Sequence, residues 1–262
     1  MSANRVSIIL PTYNREREIG RSITSVLKQT HSGFELVIVD DGSTDGTADI
    51  VRGFDDTRIR FIRLPANRGQ SVARNAGIRS ARYDLLAFQD SDDEWHPDKL
   101  ARQLEVMHGH RDTPVVVYCD MNRIWRSGER SYHRSPTIEN GRILDPDKNQ
   151  YMVYGLGIQA TVLPKTIVET VGGFDERLRC LEDLELFIRI SKRFAFVHIP
   201  EPLVNNYETI GVTSNRQNSL RARRAILFRY LPRVAAESPA FVYTEAAFLW
   251  RKFRRLRRRR IK

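Results

Sequence analysis

Cysteine is scarce: Cys119 and Cys180 are the two in 262 residues, with no C-x-x-C pair. That leaves no thiolate metal site, and two buried free thiols in a reducing compartment fit best, a single disulfide being the other option. No apolar run approaches the roughly 18–20 residues that a membrane span needs. The opening residues MSANRVSIILPTYN have neither a long apolar core nor a small-residue cleavage site, so no secretory signal is expected. Neither G-x-G-x-x-G nor G-x-x-x-x-G-K-[ST] occurs, which argues against a Rossmann dinucleotide site and a P-loop. His31, His108, His110 and His198 show no ligand spacing.

What is present is a soluble globular composition, 41% hydrophobic and 29% charged, long enough for one large domain or two small ones. The net charge of +11 is unevenly placed. Residues 216–262 hold fifteen Lys and Arg against Glu237 and Glu245, so the preceding 215 residues are slightly acidic. Such asymmetry points to an anionic partner for the C-terminal segment.

Along the first hundred residues, β-branched runs alternate with amphipathic stretches. Strands are expected at Val6 to Leu10, Phe34 to Val39, Ile59 to Leu64 and from Leu85 to Phe88. Helices are expected at Arg15 to Thr30, Thr47 to Phe54 and Ser71 to Ala81. Four alternations of this kind imply an α/β fold: a doubly wound, mostly parallel sheet flanked by helices. The second half is less regular. Val115 to Cys119 and Gly157 to Leu163 read as strands, Lys165 to Val171 and Leu181 to Arg193 as helices, and Trp125 to Gln150 as a polar stretch. A strand from Ala195 to Ile199 is expected to stop at Pro200 and Pro202, and a helix after Tyr207 to run until Pro232.

Two strand ends carry acids, Asp40–Asp41 and Asp90-Ser91-Asp92-Asp93. Ligands of an α/β sheet bind at the carboxyl ends of its strands, where neighbouring strands open into one cleft. Asp90 and Asp92 can turn toward one hard divalent cation, and an oxygen-only set suits Mg²⁺ or Mn²⁺. A polar turn is the simpler alternative for the same residues. Asp93 reads as a cap for the turn into His96–Pro97. In a nucleotide-binding cleft Tyr13 can stack on a base, and Asp41 can accept a hydrogen bond from an imino N–H such as that of uracil.

Four blocks in this order, VSIILPTYNRE, ELVIVDDGSTDGT, NRGQSVARNAGI and FQDSDDEWHPDKL, resemble the inverting family-2 glycosyltransferases of GT-A fold. GGFDE followed by LEDLELFIR resembles the acceptor-side region of that family, and the likeness covers residues 5 to about 210. It implies a GT-A-like mixed sheet, a nucleotide-diphosphosugar donor, a divalent metal, and in-line displacement by an acceptor hydroxyl. Matched by position, Pro11, Thr12, Tyr13 and Asp41 fall in the nucleoside pocket. Asp90 and Asp92 match the D-x-D pair, Asp92 as direct metal ligand and Asp90 nearer the ribose. Arg68 and Arg74 lie in the block facing the diphosphate and sugar, and Asp183 matches the general base. The alternative role for Asp183 is a helix-start acid favoured by the macrodipole. Two departures stand out: Gln89 replaces a small or apolar residue, and LED lacks the glycine often seen before it. Tyr207, Thr213 and Ser214 fall where the family closes its site. Trp95 is expected to wall the acceptor pocket or anchor its own loop, and His96 to pack beside the site.

The expected organisation is a transferase domain at 1–215, of hexosyl- or N-acetylhexosaminyl-transferase type, followed by a basic helical extension at 216–262. The donor expected is UDP-linked, and the acceptor a saccharide or lipid-linked saccharide. In 245–262, Phe248, Trp250 and Phe253 are interleaved with basic residues, the composition of a helix on an anionic membrane surface. A solvated terminus and nucleic-acid contact are the other readings of that segment. The expected location is cytoplasmic, at the inner face of a membrane if that segment anchors the chain. Rival functions are a sugar nucleotidyltransferase, whose glycine-rich basic loop is missing after the first strand, and a polyanion-binding module, against which stands the lack of basic surplus in the body.

Overall fold

In the computed structural model of the chain, residues 5–110, 112–139, 142–144, 156–209 and 216–237 are described. Thr213, Ser214 and the segment 245–262 lie outside them. Three parallel strands, β1 (Val6–Thr12), β2 (Phe34–Asp40) and β3 (Ile59–Arg63), follow the expected alternation with helices α1 (Ile19–Leu27) and α2 (Thr47–Arg52). Next come α3 (Gln70–Ser80), β4 (Leu85–Phe88), β5 (Glu94–Trp95) and α4 (Lys99–His108). The second half holds β6 (Val115–Ile124), β7 (Arg130–His133), β8 (Thr137–Glu139), β9 (Arg142–Leu144) and β10 (Thr161–Pro164). It continues through α5 (Lys165–Thr170), α6 (Glu182–Ile190), β11 (Ala195–Tyr207) and α7 (Arg216–Glu237). The main sheet has the order β3-β2-β1-β4-β10-β6-β11-β5, with β7 added beside β6. Only β10, β5 and β7 run against the rest, so the fold is the expected mixed, mostly parallel sheet flanked by helices.

The centre of the sheet is buried on both faces, and every residue of β1 and β2 is buried. Such strands read as continuous apolar runs, which is why the sequence reveals them. Pro11 stays within β1 rather than ending it. Ile9 turns its carbonyl to the β4 side, where Gln89 N–H donates to it at 2.9 Å, and Pro11 has the same parity. Pairing with β4 stops at Ile9, so the missing N–H of Pro11 faces no strand. Helix α3 lies close on β1 because residue 77 is glycine: a Cβ there would fall 2.4 Å from Ile9 Cγ2.

Three expectations are corrected. Strand β11 does not stop at the prolines; it runs from Ala195 to Tyr207, absorbing them in register shifts between Ile199 and Pro202 and between Pro202 and Val204. A bulge leaves a residue unpaired, and Pro200 falls in such a step, while Pro202 stands opposite Asp120 between the two shifts. Helix α7 continues through Pro232 to Glu237. The bond forfeited there is the one to the carbonyl of Phe228, a residue on the solvent side where water can accept the loss. The polar stretch after Trp125 contains β7, β8 and β9, whose pairing comes from neighbours and not from local hydrophobicity.

Strands β4 and β5 stand fourth and eighth in the sheet, yet only residues 89–93 separate them. Four flat strand spacings amount to about 19 Å, and six fully extended peptide steps to about 20 Å. The link is not extended, since Asp93 N–H folds back onto the Asp90 carbonyl at 3.2 Å. The sheet therefore curls, bringing its β11–β5 edge round toward the carboxyl ends of β1 and β4.

Candidate active site

The curl encloses a cavity of about 940 Å³ at those strand ends. Pro11, Thr12 and Tyr13 reach it from the end of β1, Asp41 from the end of β2, and Arg74 from α3. Asp90 and Asp92 enter from the turn after β4, and Asp183 from the first turn of α6. Of the nine residues matched to the donor, metal and base positions, only Arg68 is not on the wall: its side chain is exposed. Its backbone is used instead. Arg68 N–H and Gly69 N–H donate to the two Asp41 oxygens at 2.9 and 2.6 Å. Gly69 can turn there because it sits at φ +98°, a conformation side chains rarely adopt. Asp41 thus fixes the 67–69 turn and keeps its remaining lone pairs for a ligand.

Arg74 is the central cation. It is 3% exposed and joins Asp90 Oδ1 at 2.7 Å to Glu182 Oε1 at 2.5 Å, with its guanidinium also 5.4 Å from the Phe174 ring. Both ends of the guanidinium are committed to acids. Glu182, which sequence reasoning passed over, also accepts a hydrogen bond from Gln70 Nε2. The adjacency Glu182–Asp183 in a first helical turn was the only local sign of it.

Asp183 sits at a strained entry. Leu181 precedes α6 at φ 58°, the left-handed region in which a non-glycine residue costs on the order of 1 kcal/mol. Leu181 thus adopts a glycine-like conformation itself. Burial raises the Asp183 carboxyl to about 7; Glu182 pushes the same way, while Arg74 and the Leu184 N–H, 2.9 Å away, hold it down. A carboxylate titrating near neutrality can take a proton in a transition state and release it afterwards.

Asp92 meets Arg15 at 3.2 Å and accepts from the Thr209 hydroxyl. The Asp92 and Asp90 side chains remain 18% and 27% exposed on the cavity wall. Among the described residues no group of three or more His, Cys, Asp or Glu could hold a metal by itself. Mg²⁺ is commonly bound by one or two carboxylates, with phosphate oxygens and water completing the shell. Asp90 and Asp92 fit that arrangement, as a site completed by a diphosphate and not as a closed protein cage. Nearby, Thr12 Oγ1 is buried with no hydrogen-bond partner among the described residues, a group that a bound ligand would satisfy.

Asp93 is corrected from its expected capping role. It is buried and accepts from Asn206 Nδ2, from Tyr207 N–H at 3.0 Å and from Gln159 Nε2 at 2.9 Å. Burial raises its pKa, with Asp92 and Asp90 adding to the effect. Its partners pin the end of β11 beside Asp92. Gln89, the other departure, braces the same turn by donating to the Asp93 carbonyl at 2.9 Å. Trp95 is buried under the Lys99 ammonium at 3.9 Å and anchors its own loop; His96 is exposed. Tyr207 does line the cavity, together with Met121, Arg123 and Trp125 of the β6 strand and its end. That stripe has the period-2 spacing of one strand face, the signal by which it could have been found.

Residues 7–163 match the family model described as glycosyl transferase family 2. The amylovoran biosynthesis glycosyltransferase AmsB of Erwinia amylovora is 31% identical over 209 residues, covering 76% of this chain and 68% of that protein. The Escherichia coli protein WfgD, named as a UDP-Glc:alpha-D-GlcNAc-diphosphoundecaprenol beta-1,3-glucosyltransferase, is 44% identical over 102 residues, 39% of this chain and 40% of its own. This chain spans only about two fifths of the length of WfgD and of other relatives matched at similar identity. Among solved structures, S. aureus TarS 1-349 in complex with UDP aligns at a TM-score of 0.68 with 21% identity, over 87% of this chain and 66% of that one. The likeness to TarS is one of fold.

Proposed function

The chain belongs to glycosyl transferase family 2, and from that membership we propose that it moves a sugar from a UDP-linked donor to a hydroxyl of a saccharide or lipid-linked saccharide. Mg²⁺ or Mn²⁺ is the proposed cofactor and Asp183 the general base. One observation carries the reading: the cavity gathers Asp41, the Asp90–Asp92 pair and a carboxyl raised to about 7 from three separate elements. The donor assignment is supported by TarS, whose structures hold UDP and UDP-GlcNAc, and by the name of WfgD.

In this reading Tyr13 stacks on the base, and Asp41 accepts its imino N–H. A divalent cation bound at Asp92 and Asp90 would stabilise charge on the departing diphosphate. Asp183 accepts the proton of the acceptor hydroxyl as that oxygen bonds to the anomeric carbon and the bond to the diphosphate breaks; attack opposite the leaving group inverts the centre. Arg74 keeps Asp183 from rising further, so that an appreciable fraction is ionised at neutral pH. A location at the inner face of a membrane, with 245–262 against anionic lipid, completes the proposal. No helix among the described residues is long and apolar enough to cross a membrane.

Only the ionised form of Asp183 is a base. Transfer measured as kcat/KM is therefore expected to fall about tenfold per pH unit below about 7 and to level off above it. A profile flat from pH 5 to 8 would contradict the base assignment.

The donor is tested by thermal stabilisation with UDP-, GDP- and dTDP-sugars, each with Mn²⁺, Mg²⁺ or EDTA. At a ligand concentration 100 times Kd, the gain is about 2.7 kcal/mol. We expect it for UDP-sugars with metal, and its loss in Asp92→Ala. An Asp92→Ala protein stabilised as well as the wild type would sink the metal assignment.

A further inference from the structure

Helix α7 has two faces. Inward, Ala222 and Ile226 are buried in the core, Arg229 bonds Glu185 at 2.6 Å and Asp175 at 2.8 Å, and the Tyr230 hydroxyl donates to Glu185 at 3.0 Å. At about 100° per residue, Arg221, Arg224, Ala225 and Phe228 share an arc of about 100° on the other side, and all four are exposed. Arg221 and Arg224 make no ion pair among the described residues. Phe228 is 66% exposed, more than any other large apolar side chain described. Tyr13 and Trp125, also exposed, belong to the cavity wall; Phe228 has no role there.

We infer that this face of α7 rests on an anionic membrane surface, Phe228 entering the headgroup region between Arg221 and Arg224. An aromatic side chain flanked by unpaired guanidiniums suits that interface better than it suits water. Charge complementarity extends beyond the helix, since residues 238–262 carry nine Lys and Arg against one Glu. The face is also continuous with the cavity: Asn218 and Arg221 line it. Seven residues of helix separate Arg221 from Phe228, about 10 Å. A bilayer touching Phe228 therefore lies close to the cavity lip, within reach of a head group carried on a lipid. The inference rests on the membrane-bound acceptor proposed above for its purpose, but it can be tested without catalysis.

The full chain is sedimented with vesicles of phosphatidylcholine alone and with 30 mol% phosphatidylglycerol. Each basic group near such a surface contributes about fivefold in partitioning. The double variant R224E/F228S is expected to partition at least tenfold less onto the phosphatidylglycerol vesicles, with its melting temperature and UDP stabilisation unchanged. Both native cysteines are buried, so F228C can be labelled selectively with an environment-sensitive dye, whose emission should rise with phosphatidylglycerol vesicles only. Equal partitioning of the variant and wild type, or a dye that responds to duplex DNA and not to vesicles, overturns the inference. Loss of UDP stabilisation in every chain would instead refute the proposed donor and leave the membrane result standing.

Discussion

Asp183→Asn is expected to lower transfer by about 10²- to 10⁴-fold while leaving metal-dependent UDP stabilisation intact. Asparagine keeps the shape of the side chain and cannot accept a proton at the moment of attack. Unchanged donor stabilisation separates this loss from damage to the nucleotide pocket. The same change has a second, opposite effect on stability. Folding raises the Asp183 carboxyl from its ordinary value of 3.8 to about 7, so the folded chain holds this proton more tightly than the unfolded one. The advantage is present at acid pH and is lost as pH rises through about 7. At pH 8 the wild type keeps a buried carboxylate beside Glu182, and the Asn variant does not. The variant should therefore melt several degrees higher than the wild type at pH 8, with the gap closing toward pH 5. A turnover above a tenth of the wild-type value would remove Asp183 from the reaction, whatever the melting curves show.

Arg74→Ala is the most damaging single change expected outside the reacting groups. Glu182 is 3% exposed, and Arg74 is its cation; Asp90 is tied to the same guanidinium. Removing one partner of a buried ion pair costs about 3–5 kcal/mol, on the order of 10 °C in Tm for a chain of this size. With the cation gone, only the Leu184 N–H opposes the effect of burial, Glu182 and Asp90 on Asp183, so residual transfer should be displaced to higher pH. Arg179→Ala is the control. It too removes an arginine from the cavity wall, but one with no ion pair among the described residues, and it should cost less than about 0.5 kcal/mol. Equal melting of the two variants would show that Arg74 is not the keystone of the acids.

The parts of the fold legible in the sequence are those whose reasons are local. Strands β1 and β2 are buried on both faces and read as apolar runs, and α1 and α3 follow the helical period. Asp41, Asp90 and Asp92 are visible because strand ends are marked by neighbouring residues, and Asp183 through the resemblance carried by LEDLELFIR. The rest depends on contacts between distant positions. Asp93 looks like a turn former until Asn206 and Tyr207 arrive from more than a hundred residues away. Glu182 reads as a surface acid until Arg74 reaches it. Arg68 and Arg74 look alike in sequence, yet one is exposed in the turn before α3 and the other is buried on α3 between Asp90 and Glu182. Strand β11 defeated local reading because β6, a fixed template, carries it past two prolines.

The short link between β4 and β5 has a consequence for how such a site tolerates change. Residues 89–93 form a chord across the curl of the sheet, and their number fixes how far the two edges stand apart. The gap in which substrate must fit is thus written as a length of chain, not only as a choice of side chains. Substitutions at Ser91 would alter the lining and leave the span alone. An inserted or deleted residue would change the span itself, and with it the spacing between Asp92 and the strand end held by Asp93. Variation in this chain should therefore be freer in residue identity along the turn than in residue count.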